Sequence, residues 1–258
     1  MRCGLVGAQG KSVAMAKEGK QRDESQSVLS RLVGEAGERP RVVLAVQDDV
    51  RRARRAIRPG VDLVELRIDQ FARRDDRHVE AVARALARSG RPLLATVRSA
   101  AEGGATFLDD PTRASLWESA LPHVAAIDVE IRCAAKFEQL FRVARGSGRL
   151  VVLSYHNFQR TPTLPQLEEL FRRARARGAG VVKLATYAAN AQHVWRLAQF
   201  TWAHRQFPVV TMAMGPLGPL SRLLLPLFGS RWVYTSVRPA HGQIALPRLL
   251  ADLDFYFP

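Results

Sequence analysis

The 258-residue sequence predicts an α/β fold, a single-domain (β/α)8 barrel of the TIM type, on three observations. Eight short aliphatic, β-branched runs recur from Pro40 onward, helical patterns separate them, and the runs are apolar on consecutive rather than alternate positions. Consecutive apolar positions mark strands buried on both faces, and strands that alternate with helices pair in parallel through crossovers. Eight such units in roughly 220 residues suit a closed barrel. A doubly wound open sheet is the other architecture with this alternation.

The strands are RVVLAV (41–46), VDLVEL (61–66), PLLATV (92–97), AAIDVEI (125–131), RLVVLSY (149–155), GVVKLAT (180–186), PVVTMAM (208–214) and RWVYTSV (231–237). Helical patterns cover 48–57, 76–89, 111–121, 134–144, 163–178, 188–207, a segment around 216–228, and 246–253. Residues 1–39, rich in Gly, Ser, Gln, Lys and Glu, read as a mobile extension with a short helix over 27–33, and residues 40–258 as the barrel. The string from Gly4 to Ser12 imitates a phosphate-binding loop, but Leu5 stands where the motif needs glycine and no apolar strand precedes it.

Composition sits near globular averages: 47% hydrophobic, 24% charged, 18 Gly and 14 Pro, which excludes collagen-like, wholly disordered and disulfide-scaffold classes. Cys3 and Cys133 lie outside any metal-binding or paired spacing, which points to a reducing, cytoplasmic compartment with no structural metal. No run of about 18 apolar residues is present, and Lys11 and Lys17 interrupt any signal-like segment. The formal charge of +15 raises the question of a nucleic-acid partner. Yet Arg51, Arg52, Arg54, Arg55 and Arg58 fall in or just after the first helix and Arg172, Arg173, Arg175 and Arg177 in the fifth, with few aromatics between them, as solvated outer faces would have it. No specific nucleic acid and no membrane are expected as partners.

Barrels of this kind carry chemistry at the C-terminal ends of their strands, and those ends are polar here: Glu65-Leu-Arg67-Ile-Asp69, Thr96-Val-Arg98 running into Glu102-Gly103-Gly104, Asp128-Val-Glu130 with Arg132, and Ser154-Tyr-His156. The chain holds 34 Arg but only 5 Lys, yet strand six places Lys183 amid apolar residues. A guanidinium stays protonated, whereas an amine in a desolvated, cation-rich pocket can lose its proton and form a Schiff base with a carbonyl. A strand-end lysine reaching to solvent is the plainer alternative. His156, on the neighbouring strand, supplies an acid–base group, and Glu102 a partner for its other ring nitrogen. Arg67, Arg98, Arg222 and Gln243 offer donors for a small anionic, hydroxylated substrate.

Together the stretches ELRID (65–69), ATVRSAAEGG (95–104), IDVEI (127–131), SYHNF (154–158), VVKLA (181–185), TMAMGPLGPLSR (211–222) and AHGQI (240–244) resemble the type I 3-dehydroquinate dehydratases, over about residues 41–253. The resemblance implies a hydro-lyase of the shikimate pathway, serving aromatic amino acid biosynthesis in the cytoplasm as a homodimer without metal or organic cofactor. It further implies that Lys183, His156 and Glu102 are catalytic, that Arg222 clamps the substrate carboxylate, and that Glu65, Arg67 and Arg98 meet ring hydroxyls. Gln243 and Ala240 would close over the site from the last loop, with Met212, Met214 and Phe158 as apolar walls. Two departures stand out. The family's Ser-Ala-Pro-Gly-Gln lid reads Pro239-Ala240-His241-Gly242-Gln243, which removes a serine hydroxyl, and its SYHDF reads SYHNF with Asn157. Another Schiff-base barrel lyase or aldolase acting on a related hydroxy-keto acid, or a basic nucleic-acid binder, would be the competing functions.

Overall fold

Period-two alternation decides which strand side chains enter the barrel and which face the helices. The computed structural model describes residues 32–238 and 242–258. Its strands are β1 Arg41–Val46, β2 Leu63–Arg67, β3 Leu93–Thr96, β4 Ala126–Glu130, β5 Leu150–Asn157, β6 Val181–Tyr187, β7 Val209–Met214 and β8 Trp232–Ser236. All ladders are parallel, in the order β7-β6-β5-β4-β3-β2-β1-β8, and β1 pairs with both β2 and β8. An open doubly wound sheet is thereby excluded. The last seam, between β7 and β8, closes through the Arg231 N–H to the Val209 carbonyl at 2.9 Å and through the Ser230 hydroxyl, which accepts from Thr211 N–H at 3.0 Å.

Eight outer helices are described: α1 Val50–Ala56, α2 Asp76–Ala87, α3 Asp110–Ala120, α4 Glu138–Gly146, α5 Leu164–Ala176, α6 Ala191–Ala203, α7 Gly218–Leu227 and α8 Leu246–Tyr256. Their starts follow local chemistry. Asp49, Asp75, Asp109 and Asn190 each accept a hydrogen bond from a backbone N–H of the first turn, and proline stands in the first turn of α3, α5, α7 and α8. The arginines of α1 and α5 singled out in the sequence lie mostly exposed, as solvated faces. No described helix is long and apolar enough to cross a membrane.

The core is double. One cluster, containing Val42, Leu44, Val64, Leu66, Ile127 and Leu153, fills the layer between sheet and helices. The other lies inside the barrel and contains Val43, Leu63, Leu94, Ala126, Val152, Val181, Val210 and Trp232, the opposite parity of the same strands. Leu32 and Val33 belong to this inner cluster, at 1% and 3% exposure, and the Trp232 indole N–H donates to the Leu32 carbonyl at 2.9 Å. Residues 32 and 33, within the stretch read as an extension, therefore plug the barrel floor. Their aliphatic pair was too short to carry a periodic signal. The phosphate-loop-like string and most of the 27–33 segment lie outside the described residues.

Leu32→Ala should cost about 2–4 kcal/mol in urea unfolding, as core truncations do; a loss under about 0.5 kcal/mol, typical of surface positions, would show that the plug does not contribute.

Candidate active site

Above the apolar floor the inward positions turn polar, two residues apart on or just beyond the ends of four strands: Glu65 and Arg67, Thr96 and Arg98, Asp128 and Glu130, Ser154 and His156. Lys183 pairs in register with Ser154 on β5, and His156 with Ala185, so the histidine sits one pleat nearer the mouth on the same inward face, about 7 Å along the strand. Sequence order thus becomes a vertical arrangement, with the amine below and the imidazole above it.

Lys183 is buried, and its Nζ lies 2.9 Å from Asp128 Oδ2 and 3.4 Å from Glu65 Oε1, over the Tyr234 ring at 4.2 Å from its centroid. Among the described residues the other lysine, Lys136, is exposed and pairs with Asp110. The nearest charges to Lys183 are carboxylates, not the cations that the sequence suggested. The reason lies in how Arg98 is used. Its guanidinium turns to the far oxygen of the same carboxylate, Asp128 Oδ1 at 2.9 Å, and also holds Glu130 Oε1 at 3.1 Å and Ser154 Oγ at 2.8 Å. Burial alone would raise the Asp128 pKa, but Arg98 and Lys183 on its two oxygens overrule that and hold it far below the usual carboxylate range. Thr96 Oγ1 donates to Glu65 Oε1 at 2.9 Å, fixing the second carboxylate beside the amine.

Glu102 lies in the loop after β3 and is brought to β5 by two glycines. Gly103 has φ +84°, and a Cβ there would come within 2.5 Å of the Phe158 ring; one on Gly104 would lie 2.1 Å from the Arg98 carbonyl oxygen. No other residue allows so close a fold-back. Glu102 Oε2 then accepts the His156 backbone N–H at 2.8 Å and lies 3.2 Å from the ring Nδ1. Burial, with the nearby Glu130 carboxylate adding to it, pushes Glu102 up to about 7 against the pull of Arg98, the His156 N–H and Arg132. His156 moves the other way: burial first, then Arg98 and Lys183, hold it well below the ordinary imidazole value, so the ring is neutral at pH 7.

Arg222, on α7, is a buried cation whose partners are main-chain carbonyls: Nε to Tyr234 at 3.2 Å, and one terminal nitrogen to Ala213 at 3.0 Å and Gly218 at 2.7 Å. Burial pulls it down to about 10, and among the described residues no carboxylate neutralises it. An uncompensated guanidinium fixed at the β7–β8 seam is suited to an anionic ligand group. Arg67 is clamped at its Nε and one terminal nitrogen by the buried Asp69, at 3.0 and 2.9 Å. Arg67 and Gln243 line one cavity of about 230 Å³, together with Ala45, Ser236 and Arg238. Gln243 Oε1 is 2.9 Å from the Ser236 hydroxyl. Met214 packs on the inner cluster, and Phe158, 49% exposed, covers the Gly103 turn. Asn157 keeps its loop ordered, accepting from the Gln159 and Arg160 N–H groups at 3.0 Å and donating to Tyr155 Oη at 2.9 Å. Pro239, Ala240 and His241 lie outside the described residues.

Several members of this cluster had no assigned role in the sequence. Asp128 and Ser154 are one pair, and the spacing of two that places each below an ionisable residue was the available signal. Tyr234 is another; burial and the Glu65 and Asp128 carboxylates raise its phenol well above the usual range. Arg113, buried on α3, stacks on Trp117 and Phe137, donates to the Val97 carbonyl and pairs with Glu130. A helix arginine that reaches back to a strand leaves no pattern in sequence.

A family model described as type I 3-dehydroquinase matches residues 42–256. The 3-dehydroquinate dehydratase of Methanocella arvoryzae is 34% identical over 218 residues, which cover 83% of this chain and 95% of that protein. Among solved structures, the 3-dehydroquinate dehydratase of Geobacillus kaustophilus matches with a TM-score of 0.80 at 28% identity, covering 87% of this chain and 97% of that one. The type I enzyme of Clostridium difficile, solved with covalently modified comenic acid, matches with a TM-score of 0.80 at 26% identity over 86% of this chain and 93% of that one.

Glu102 gives a stability test with a definite sign. Because its folded-state pKa is about 7, above the ordinary carboxylate value, the folded chain holds a proton that the unfolded chain releases. Its contribution is full below about pH 4.5 and is lost as pH rises toward 7. Glu102→Gln, which never ionises, should therefore be more stable than the parent at pH 8 by on the order of 1–3 kcal/mol in urea, and the gap should close at pH 4.5. An equal difference at both pH values would contradict the raised pKa.

Proposed function

Because the chain belongs to the type I 3-dehydroquinase family, we propose that Lys183, His156 and Glu102 carry its reaction and that Arg222 anchors the substrate. The chain is a 3-dehydroquinate dehydratase, a lyase that removes water from 3-dehydroquinate to give 3-dehydroshikimate through a lysine Schiff base. The observation that carries the residue assignment is Lys183 itself, a buried lysine at the barrel centre with the neutral imidazole of His156 one pleat above it.

In this reading the unprotonated Lys183 amine attacks the C3 ketone, and loss of water from the carbinolamine gives an iminium. The iminium draws electron density from the adjacent C–H bond, so C2 becomes acidic. His156 takes that proton, and the resulting enamine expels the C1 hydroxyl as the imidazolium returns a proton to it, so proton and hydroxyl leave from the same face as water and the C1–C2 double bond forms. Water then hydrolyses the conjugated iminium and frees Lys183. Glu102, through its contact with Nδ1, orients the ring and balances the charge of the imidazolium. Asp128 and Glu65 hold the amine aimed at the cavity axis and compensate the iminium.

Arg222 would take the substrate carboxylate, since its own fixed partners are neutral carbonyls. Glu65, Arg67 and Gln243 would meet ring hydroxyls, with Met214 and Phe158 as apolar walls. Arg98, engaged by Asp128, Glu130 and Ser154, would act mainly by holding the Asp128 carboxylate and only secondarily on the substrate. The family match leaves the +15 charge without a role in the reaction, because the arginine clusters sit on the outer helices and not at the barrel mouth.

Borohydride added with 3-dehydroquinate should fix one substrate-derived group on the chain, located by peptide mass spectrometry at Lys183. Lys183→Met should abolish the label. His156→Ala should retain the label while turnover falls by about 10²–10⁴. Label on another residue, or label that survives in Lys183→Met, would overturn the assignment.

A further inference from the structure

Glu102 is held from one side only. Its Oε2 meets the His156 backbone and ring, but Oε1 is buried with no hydrogen-bond partner among the described residues. The group nearest to completing it is Arg132, in the turn after β4, whose Nε lies 3.4 Å from Oε1. Among the described residues Glu102 is the only ion-pair partner of Arg132, although its side chain is 55% exposed and could lie in water. A second contact keeps it at the rim: its guanidinium carbon stands 5.1 Å from the centroid of the Tyr155 ring, a cation–π arrangement. Tyr155 is in turn held by the amide of Asn157, which is uncharged and offers Arg132 no rival carboxylate.

We propose that Arg132 is a positioning residue for the dehydration, pairing from the barrel rim with the free oxygen of Glu102 so that this carboxylate keeps the His156 ring in its working orientation. The inference rests on the assignment of His156 and Glu102 given above. The groups facing Glu102 are Arg98 just beyond β3, Glu130 at the end of β4, Arg132 in the turn that follows and His156 on β5. Arg98 and Glu130 are committed to one another and to Asp128 and Arg113 inside the barrel wall. Arg132 is the one charge in this set that solvent and salt can reach, and so the one whose influence on Glu102 can be tuned without disturbing the buried lattice.

Losing the Arg132 charge favours the protonated form of Glu102, and a neutral carboxylic acid is a poorer acceptor for the Nδ1–H of a ring that must gain a proton at Nε2. The acidic limb of kcat should then move to higher pH. A partly exposed pair is screened, so the shift should be modest, about half a pH unit, or about a threefold loss on the acidic limb that disappears by pH 9. Arg132→Lys should restore most of the parent profile, and raising the ionic strength of the parent enzyme should move its acidic limb toward that of Arg132→Gln.

The experiment is the pH profile of kcat for the parent enzyme, Arg132→Gln, Arg132→Lys and Glu102→Gln, with thermal unfolding of each. The expected result is an upward shift of the acidic limb in Arg132→Gln alone of the two arginine variants, at unchanged Tm. A superimposable profile, or an equal loss at every pH, overturns the proposal. Glu102→Gln separates the two levels: if it turns over like the parent, the underlying assignment of Glu102 fails, whereas if it is impaired and Arg132→Gln is not shifted, only the role of Arg132 fails.

Discussion

The carboxylate of Asp128 is shared between two buried cations, and the upper half of the barrel is arranged around that sharing. Arg98 takes one oxygen and Lys183 the other. An unpaired charge buried in so dry a place would cost several kcal/mol, and this one carboxylate serves both side chains. The carboxylate in turn stays ionised because two cations face it. With Arg98 fixed, Glu130 and Ser154 acquire their positions, and Ser99, whose N–H donates to Glu130 at 2.8 Å, anchors the start of the loop that carries Glu102. The geometry of the acid–base pair thus descends from a charge pair one strand away.

Two features on the outside of the wall support the lattice. Arg113 supplies Glu130 with a second cation from helix α3, so that Arg98, shared between Asp128 and Glu130, does not leave a net negative charge in the barrel wall. Cys133, which donates to Glu130 at 3.1 Å, has its thiol pushed up to about 12 by burial and by that carboxylate, and so stays protonated and packs as a neutral group. The apolar floor, closed by Leu32 and Val33, keeps water from entering beneath Lys183 and strengthens every charge contact above it. Floor, lattice and rim form three levels of rising polarity toward the mouth, the order in which a substrate would meet them reversed.

Strand and helix order was readable because each rests on local rules: consecutive β-branched residues for strands buried on both faces, and Asp, Asn or Pro at helix starts. Lys183 and His156 stood out because a scarce residue type and a lone imidazole occurred inside apolar strands. What sequence reasoning misjudged was the sign of the field around Lys183. Arg67, Arg98 and Arg132, close in sequence to strand ends, suggested a cationic pocket, but a long arginine side chain spends its charge wherever a carboxylate faces it, and that depends on register and barrel stagger rather than on local order. The same limit hid Arg113 and the Leu32–Val33 plug, each of which acts across the fold on a partner remote in the chain.

The sharing of Asp128 can be measured as a coupling free energy. A double-mutant cycle of Asp128→Asn and Lys183→Met, followed by urea unfolding at pH 7, removes each partner alone and then both. Each single change should leave buried charge uncompensated, and the double change should cost less than the sum of the two by about 2 kcal/mol. Additivity to within about 0.5 kcal/mol would mean that the two residues are held independently and would contradict the central role given to this pair.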